Sequence, residues 1–116
     1  MTTPADRRND AIALGEFIAT LKGKPVRVSQ AISWRSGTDF ERHSTVHARF
    51  VMLVARTSWA MSGGHYMLYG KDGSFYAVGT TKLKEVQITD GRARILELYG
   101  NEAERLSTVE VIEGNA

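Results

Sequence analysis

The stretch Ser44–Trp59, STVHARFVMLVARTSW, constrains this chain more than any other. Its even positions Val46, Ala48, Phe50, Met52 and Val54 are all apolar. Its odd positions begin polar (Thr45, His47, Arg49) and turn apolar (Val51, Leu53, Ala55). Side chains alternate across a strand, so the pattern predicts a long central strand with one face in the core throughout. The other face emerges from cover at one end, and the Val51/Leu53 end needs an apolar neighbour.

A helix is expected over about 4–22. Thr3 suits the N-cap, Pro4 the first helical position and Asp6 the first turn. Ala11, Leu14, Phe17, Ile18 and Leu21 recur at helical spacing as one stripe, and Gly23 with Pro25 ends it. The natural landing place for that stripe is the Val51/Leu53 end of the central strand. Alternation and turn signals then predict strands over about 26–34, 44–56, 65–69, 74–79, 82–89, 92–99 and 106–112. Gly70-Lys71-Asp72-Gly73 and Asp90-Gly91 mark hairpin turns. Leu83, Val86 and Ile88 break strict alternation and suggest a bulge, and Asn101–Arg105 reads as a loop or one helical turn. The expected class is α+β: an N-terminal helix packed on a curled, mostly antiparallel sheet or small barrel (SH3-like/Sm-like) of six to seven strands.

With 116 residues, one domain spanning 1–116 is the expectation. Cysteine is absent, which removes disulfides, thiolate nucleophiles and Cys-based zinc sites and fits a cytoplasmic protein. The amino terminus lacks the pattern of a signal peptide, and no apolar run approaches the ~18 residues of a membrane span, so no membrane association is expected. Net charge is only +2, but residues 1–64 hold nine Lys/Arg against five Asp/Glu, and the remainder six against eight. Between Val26 and Trp59 every basic residue is an arginine: Arg27, Arg35, Arg42, Arg49 and Arg56. Arginine's planar fork binds phosphate and carboxylate bidentately and stacks on aromatic faces. A genome of high G+C content would produce the same preference.

FIATLKGKPVRVS followed by SGTDFERHSTV resembles the opening of Sm-like barrels, in which a helix runs into a strand through a G-K-x-V-x-V step. GSFYAVGTTKLKEVQI loosely resembles their second motif. Six residues, QAISWR, intervene before the turn; the Asp and Met-Asn of the first motif are absent, and Val78-Gly79 stands in place of Arg-Gly. The resemblance therefore supports a small-barrel architecture and carries no RNA-binding residues across.

Chemical motifs are sparse. His43 and His47 share a strand face but lie roughly 13 Å apart at ~3.3 Å per residue, too far for one ion. Asp39, Glu41, His43 and Ser44 contain the letters of a catalytic triad without its geometry, and Gly64–Lys71 fails the phosphate-loop spacing. No catalytic residue, metal or cofactor is predicted. Arg35, Arg42, Arg49 and Arg56 recur every seven residues, but an odd step changes strand face each time, so they form no single row.

The remaining signal is basic and aromatic. Arg27, Arg35, His47, Arg49, Arg56, Trp59, His65 and Tyr66 are the candidate ligand-binding residues, and Val51, Leu53 and Met61 the candidate interface. Trp59 and Tyr66 would equally serve to fill the barrel end. The expected function is a non-enzymatic small binding domain for nucleic acid or a nucleotide-type anionic ligand. The alternative is a protein-interaction module, a small inhibitor or adaptor that occupies a partner's surface, with a homo-oligomer as a further option.

Overall fold

The computed structural model describes residues 4–35, 43–58, 64–100 and 103–112. Helix α1 (Pro4–Ala19) precedes strands β1 (Pro25–Arg35), β2 (His43–Ser58), β3 (His65–Gly70), β4 (Phe75–Gly79), β5 (Leu83–Thr89), β6 (Arg92–Tyr99) and β7 (Ala103–Val111), with a 3₁₀ turn at Thr80–Lys82. The strands form one antiparallel sheet in the order β4-β3-β2-β1-β7-β6-β5. The α+β class stands.

β2 is the pivot. Its residues 43–53 pair with β1, and residues 54–58 pair with β3, with a register shift between Val54 and Arg56. A bulge there bends and twists the strand, which carries the β3–β4 hairpin over the β1-β7-β6-β5 portion. The 3₁₀ turn then links the two edge strands, β4 and β5, without pairing them. The sheet is strongly curled but open, so a closed barrel is not formed. A second register shift, between Leu83 and Glu85, falls where strict alternation breaks in β5.

The inner face carries the core. Val26, Val28, Met52, Val54, Tyr66, Leu68, Tyr76, Val78, Leu83, Ile95 and Val109 pack with the helical stripe Ala11, Leu14, Phe17, Ile18 and Leu21. Leu14, Ile18 and Leu21 are fully buried. At ~1.5–3 kcal/mol per large apolar side chain, they easily outweigh the ~1 kcal/mol that Gly15 costs a helix interior. The helix stops at Ala19 and not near 22, because Thr20 turns both its N–H (3.1 Å) and its Oγ1 (2.6 Å) onto Phe17 O. Gly23, at φ +83°, then bonds its N–H to Val54 O at 2.8 Å and fastens the turn to β2.

Three expectations are corrected. The helix does not cover Val51 and Leu53, which remain 54% and 41% exposed. It packs on the opposite face, with Met52 and Val54, because a strand's two faces cannot share one core. Nor is the even face of β2 buried throughout: Val46 is 49% exposed and Ala48 is exposed, since the upper half of the strand runs past the helix and the β3–β4 hairpin. Finally, Ala103–Arg105 is strand, because Tyr99↔Ala103, Leu98↔Glu104 and Glu97↔Arg105 extend the β6 ladder.

Candidate binding surfaces and a buried polar seam

Register decides which predicted residues meet. On the outer face, Arg27 lies opposite Val51, Ser29 opposite Arg49 and Ala31 opposite His47. Arg27 and Arg49 are thus diagonal neighbours, roughly 7–8 Å apart for such pairs. The patch is weaker in net charge than the sequence implies. Glu110 stands opposite Arg27 on β7 and pairs with it, Nη1 to Oε1 at 3.4 Å, both side chains being substantially exposed. Arg49 and His47 are exposed and make no ion pair among the described residues.

Arg56 belongs to a different cluster. Beyond the bulge it stands opposite Tyr69, which stands opposite Phe75. Its guanidinium lies 4.0 Å from the Tyr69 ring centroid, a cation–π contact. Phe75 is 61% exposed, the most solvent-accessible large apolar side chain described. Lys71 follows Tyr69 in the turn, where Asp72 accepts from both the N–H and the Oγ of Ser74; those bonds lower the Asp72 pKa. Tyr69 belongs to the aromatic group that flanks the Gly63-Gly64 break in the sequence, whereas Phe75 carried no special mark, because an aromatic in a strand normally fills a core.

Tyr66 lies in the core and not on the surface with the other candidates. It is fully buried, and its hydroxyl donates to Ala11 O at 2.8 Å, holding β3 to the helix. Burial also raises its pKa. The phase of β3 explains this: Tyr66 and Leu68 point inward and His65, Met67 and Tyr69 outward. His65 lies at the exposed start of β3. Arg35 ends β1 opposite His43. Trp59 and Met61 lie outside the described residues.

Sequence reasoning missed the polar seam inside the curl. Glu97 is fully buried on β6, and Arg105 on β7 pairs with it, Nη2 to Oε1 at 2.6 Å and Nε to Oε1 at 2.7 Å. Arg105 also donates to Gln30 Oε1 on β1 (3.2 Å) and to Ala77 O on β4 (2.5 Å). Glu97 Oε2 accepts from Tyr99 Oη (2.6 Å) and from the Gly79 N–H of β4 (3.0 Å). Side chains of β6 and β7 thereby satisfy the edge of β4 where a closed barrel would have a backbone ladder. The one legible sign was Glu97 itself, an acid on the inward phase of Ala93, Ile95 and Glu97.

Charge at the seam is balanced. Burial opposes the Arg105 cation, but Tyr76 and Glu97 favour it and the net pKa is raised. Burial, then the bond to Glu97 and its charge, pushes the Tyr99 hydroxyl up to about 12. The Tyr76 hydroxyl is raised further, chiefly by burial. It and the Ser107 hydroxyl are near enough to influence one another, but neither makes a well-formed hydrogen bond among the described residues.

A depression of about 240 Å³ on the outer face of β5-β6-β7 is lined by Glu85, Gln87, Arg94, Leu96, Glu104 and Leu106. Among the described residues, no group of three or more His, Asp or Glu side chains could hold a metal, and no helix is long and apolar enough to cross a membrane. Comparison with protein-family models, curated proteins and solved structures finds no match to this chain.

Proposed function

We propose that the chain is a binding domain, and that the outer surface of its β3–β4 hairpin takes a single-stranded nucleic acid or a nucleotide. The observation that carries this reading is the row Arg56, Tyr69, Phe75 across three neighbouring strands, with Phe75 61% exposed. An aromatic left in water beside an arginine-stacked tyrosine offers a base its π-face, while Arg56 and Lys71 offer phosphate a counter-charge. Binding of a labelled single-stranded oligonucleotide, followed by fluorescence anisotropy, is expected at low salt and should weaken steeply between about 50 and 200 mM salt. Phe75→Ala should weaken it by roughly 5- to 150-fold, from the ~1–3 kcal/mol that one base–aromatic stack contributes. A flat response at low salt to both oligonucleotide and nucleotide would sink the reading.

A second reading, a protein-docking module, is favoured by a separate observation: Val51 and Leu53 are large apolar residues in the open on the outer face of β2. Isolated exposed apolar residues are ordinary, but adjacent same-face pairs mark interfaces more often. Val51→Ser/Leu53→Ser should abolish a stoichiometric complex without lowering stability. A chain that is strictly monomeric and yields no stable complex counts against it.

A further inference from the structure

Among the described residues, β2 has a paired neighbour on one side only over residues 43–53. β1 runs beside it from His43 to Leu53, whereas β3 pairs only from Val54 to Ser58. Three backbone bonds at the junction fix the direction of its polar groups. Val54 N–H donates to Lys24 O, and Gly23 N–H to Val54 O, on the β1 side; Leu53 O accepts from Lys71 N–H on the β3 side. Successive residues aim these groups at opposite edges. Thr45, His47, Arg49 and Val51 therefore share the direction of Leu53. Their N–H and C=O groups face outward along roughly 20 Å of edge, at ~3.4 Å per residue, with no strand paired to them among the described residues.

The side chains along this edge say what would fit it. His47 and Arg49 are exposed on the outer face, while Val46 and Ala48 are exposed and Phe50 half-buried on the inner face. The molecule already contains the matching pattern on the far side of β1. There β7 sets Glu110 opposite Arg27 on the outside, and Val109 and Val111 opposite Val28 and Val26 on the inside.

We propose that the free edge of β2 is completed by an added strand, an extended segment of a partner protein in which carboxylate and apolar side chains alternate. Carboxylates lie over His47 and Arg49, apolar residues cover Val46, Ala48 and Phe50, and the main chain bonds to the outward groups of residues 45–51. This rests on the protein-docking reading and names its partner; the β3–β4 stacking surface is not involved. A second copy of this chain fits the edge poorly. Antiparallel pairing of two β2 edges about Arg49 sets Arg49 directly against Arg49, like charges that destabilise a sheet, and no register offers Arg49 a carboxylate, because residues 43–53 contain none.

The test is a titration of the isotope-labelled full chain with the peptide acetyl-Thr-Val-Glu-Val-Glu-Val-Thr-amide, read by amide hydrogen exchange. The expected result is new protection at His47, Arg49 and Val51, with Val46 and Ala48 unchanged because their amides already face β1. The same peptide with Lys for Glu should bind about tenfold more weakly, since the pair at Arg49 turns from attraction to repulsion. N-methylation of the peptide's edge-facing amides should abolish binding without touching the protein. Absence of that protection, equal binding of the Glu and Lys peptides, or indifference to N-methylation overturns the proposal. So does protection of the same amides that rises with protein concentration alone, which would make the occupant a second copy. If the peptide fails while Val51→Ser/Leu53→Ser still breaks a stoichiometric complex, the edge assignment falls and the docking reading stands.

Discussion

Arg105 joins four strands through one side chain: its own, Glu97 on β6, Gln30 on β1 and the Ala77 carbonyl on β4, with the Tyr76 ring 5.2 Å from its guanidinium carbon. Its removal would leave the Glu97 carboxylate buried without a counter-charge and Ala77 O without a donor. Arg105→Met is therefore expected to lower stability by about 3–5 kcal/mol, the range for breaking a buried pair from one side. Urea denaturation would measure it. The double variant Arg105→Met/Glu97→Leu should recover part of that loss, because replacing both partners leaves no orphaned charge. A loss below about 1 kcal/mol in the single variant would place the pair with ordinary surface salt bridges.

The helix and β3 meet through a small residue and a large one. A Cβ on Gly15 would lie 3.1 Å from the Tyr66 hydroxyl and 3.2 Å from its ring, and that ring is buried and tied to Ala11 O. Replacing a mid-helix glycine by alanine ordinarily gains up to ~1 kcal/mol. Here the overpacking, ~1–3 kcal/mol in a well-filled core, should win. Gly15→Ala is expected to lower the melting temperature, and in a Tyr66→Leu background the same change should become neutral or stabilising. Thermal denaturation of the four proteins of this cycle checks it; a stabilising Gly15→Ala in the parent chain would show that the helix shifts freely on β3. The glycine is visible in the sequence, but the need for it is not, since Tyr66 lies 51 positions away.

For the molecule as a whole, closure is the decisive event. The bulge between Val54 and Arg56 bends β2, the β3–β4 hairpin follows, and the edge of β4 comes to rest against Glu97 and Arg105. The same bend leaves the upper half of β2 without a second paired strand among the described residues and turns Arg56 away from Arg49. The predicted binding residues are consequently divided. Arg27, His47 and Arg49 share the upper outer face, and Arg56 joins Tyr69 and Phe75, of which Phe75 was not singled out by sequence reasoning. Tyr66 is withdrawn into the core.

Sequence by itself determined the local structure. Period-two alternation, the helical stripe from Ala11 to Leu21, and glycine at turns such as Gly73 (φ +89°) and Gly91 (φ +70°) are properties of neighbouring residues, so the helix, the strands and most of their inner faces were legible. Tertiary structure alone decided what each face meets. The helix could have landed on either side of β2, and only the shared burial of Met52 and Val54 with β1, β3 and β6 selected one. The Glu97–Arg105 seam, the open edge at Thr45–Val51 and the exposure of Phe75 depend on register and curl. Those are fixed by contacts between residues far apart in the chain, and no local pattern encodes them.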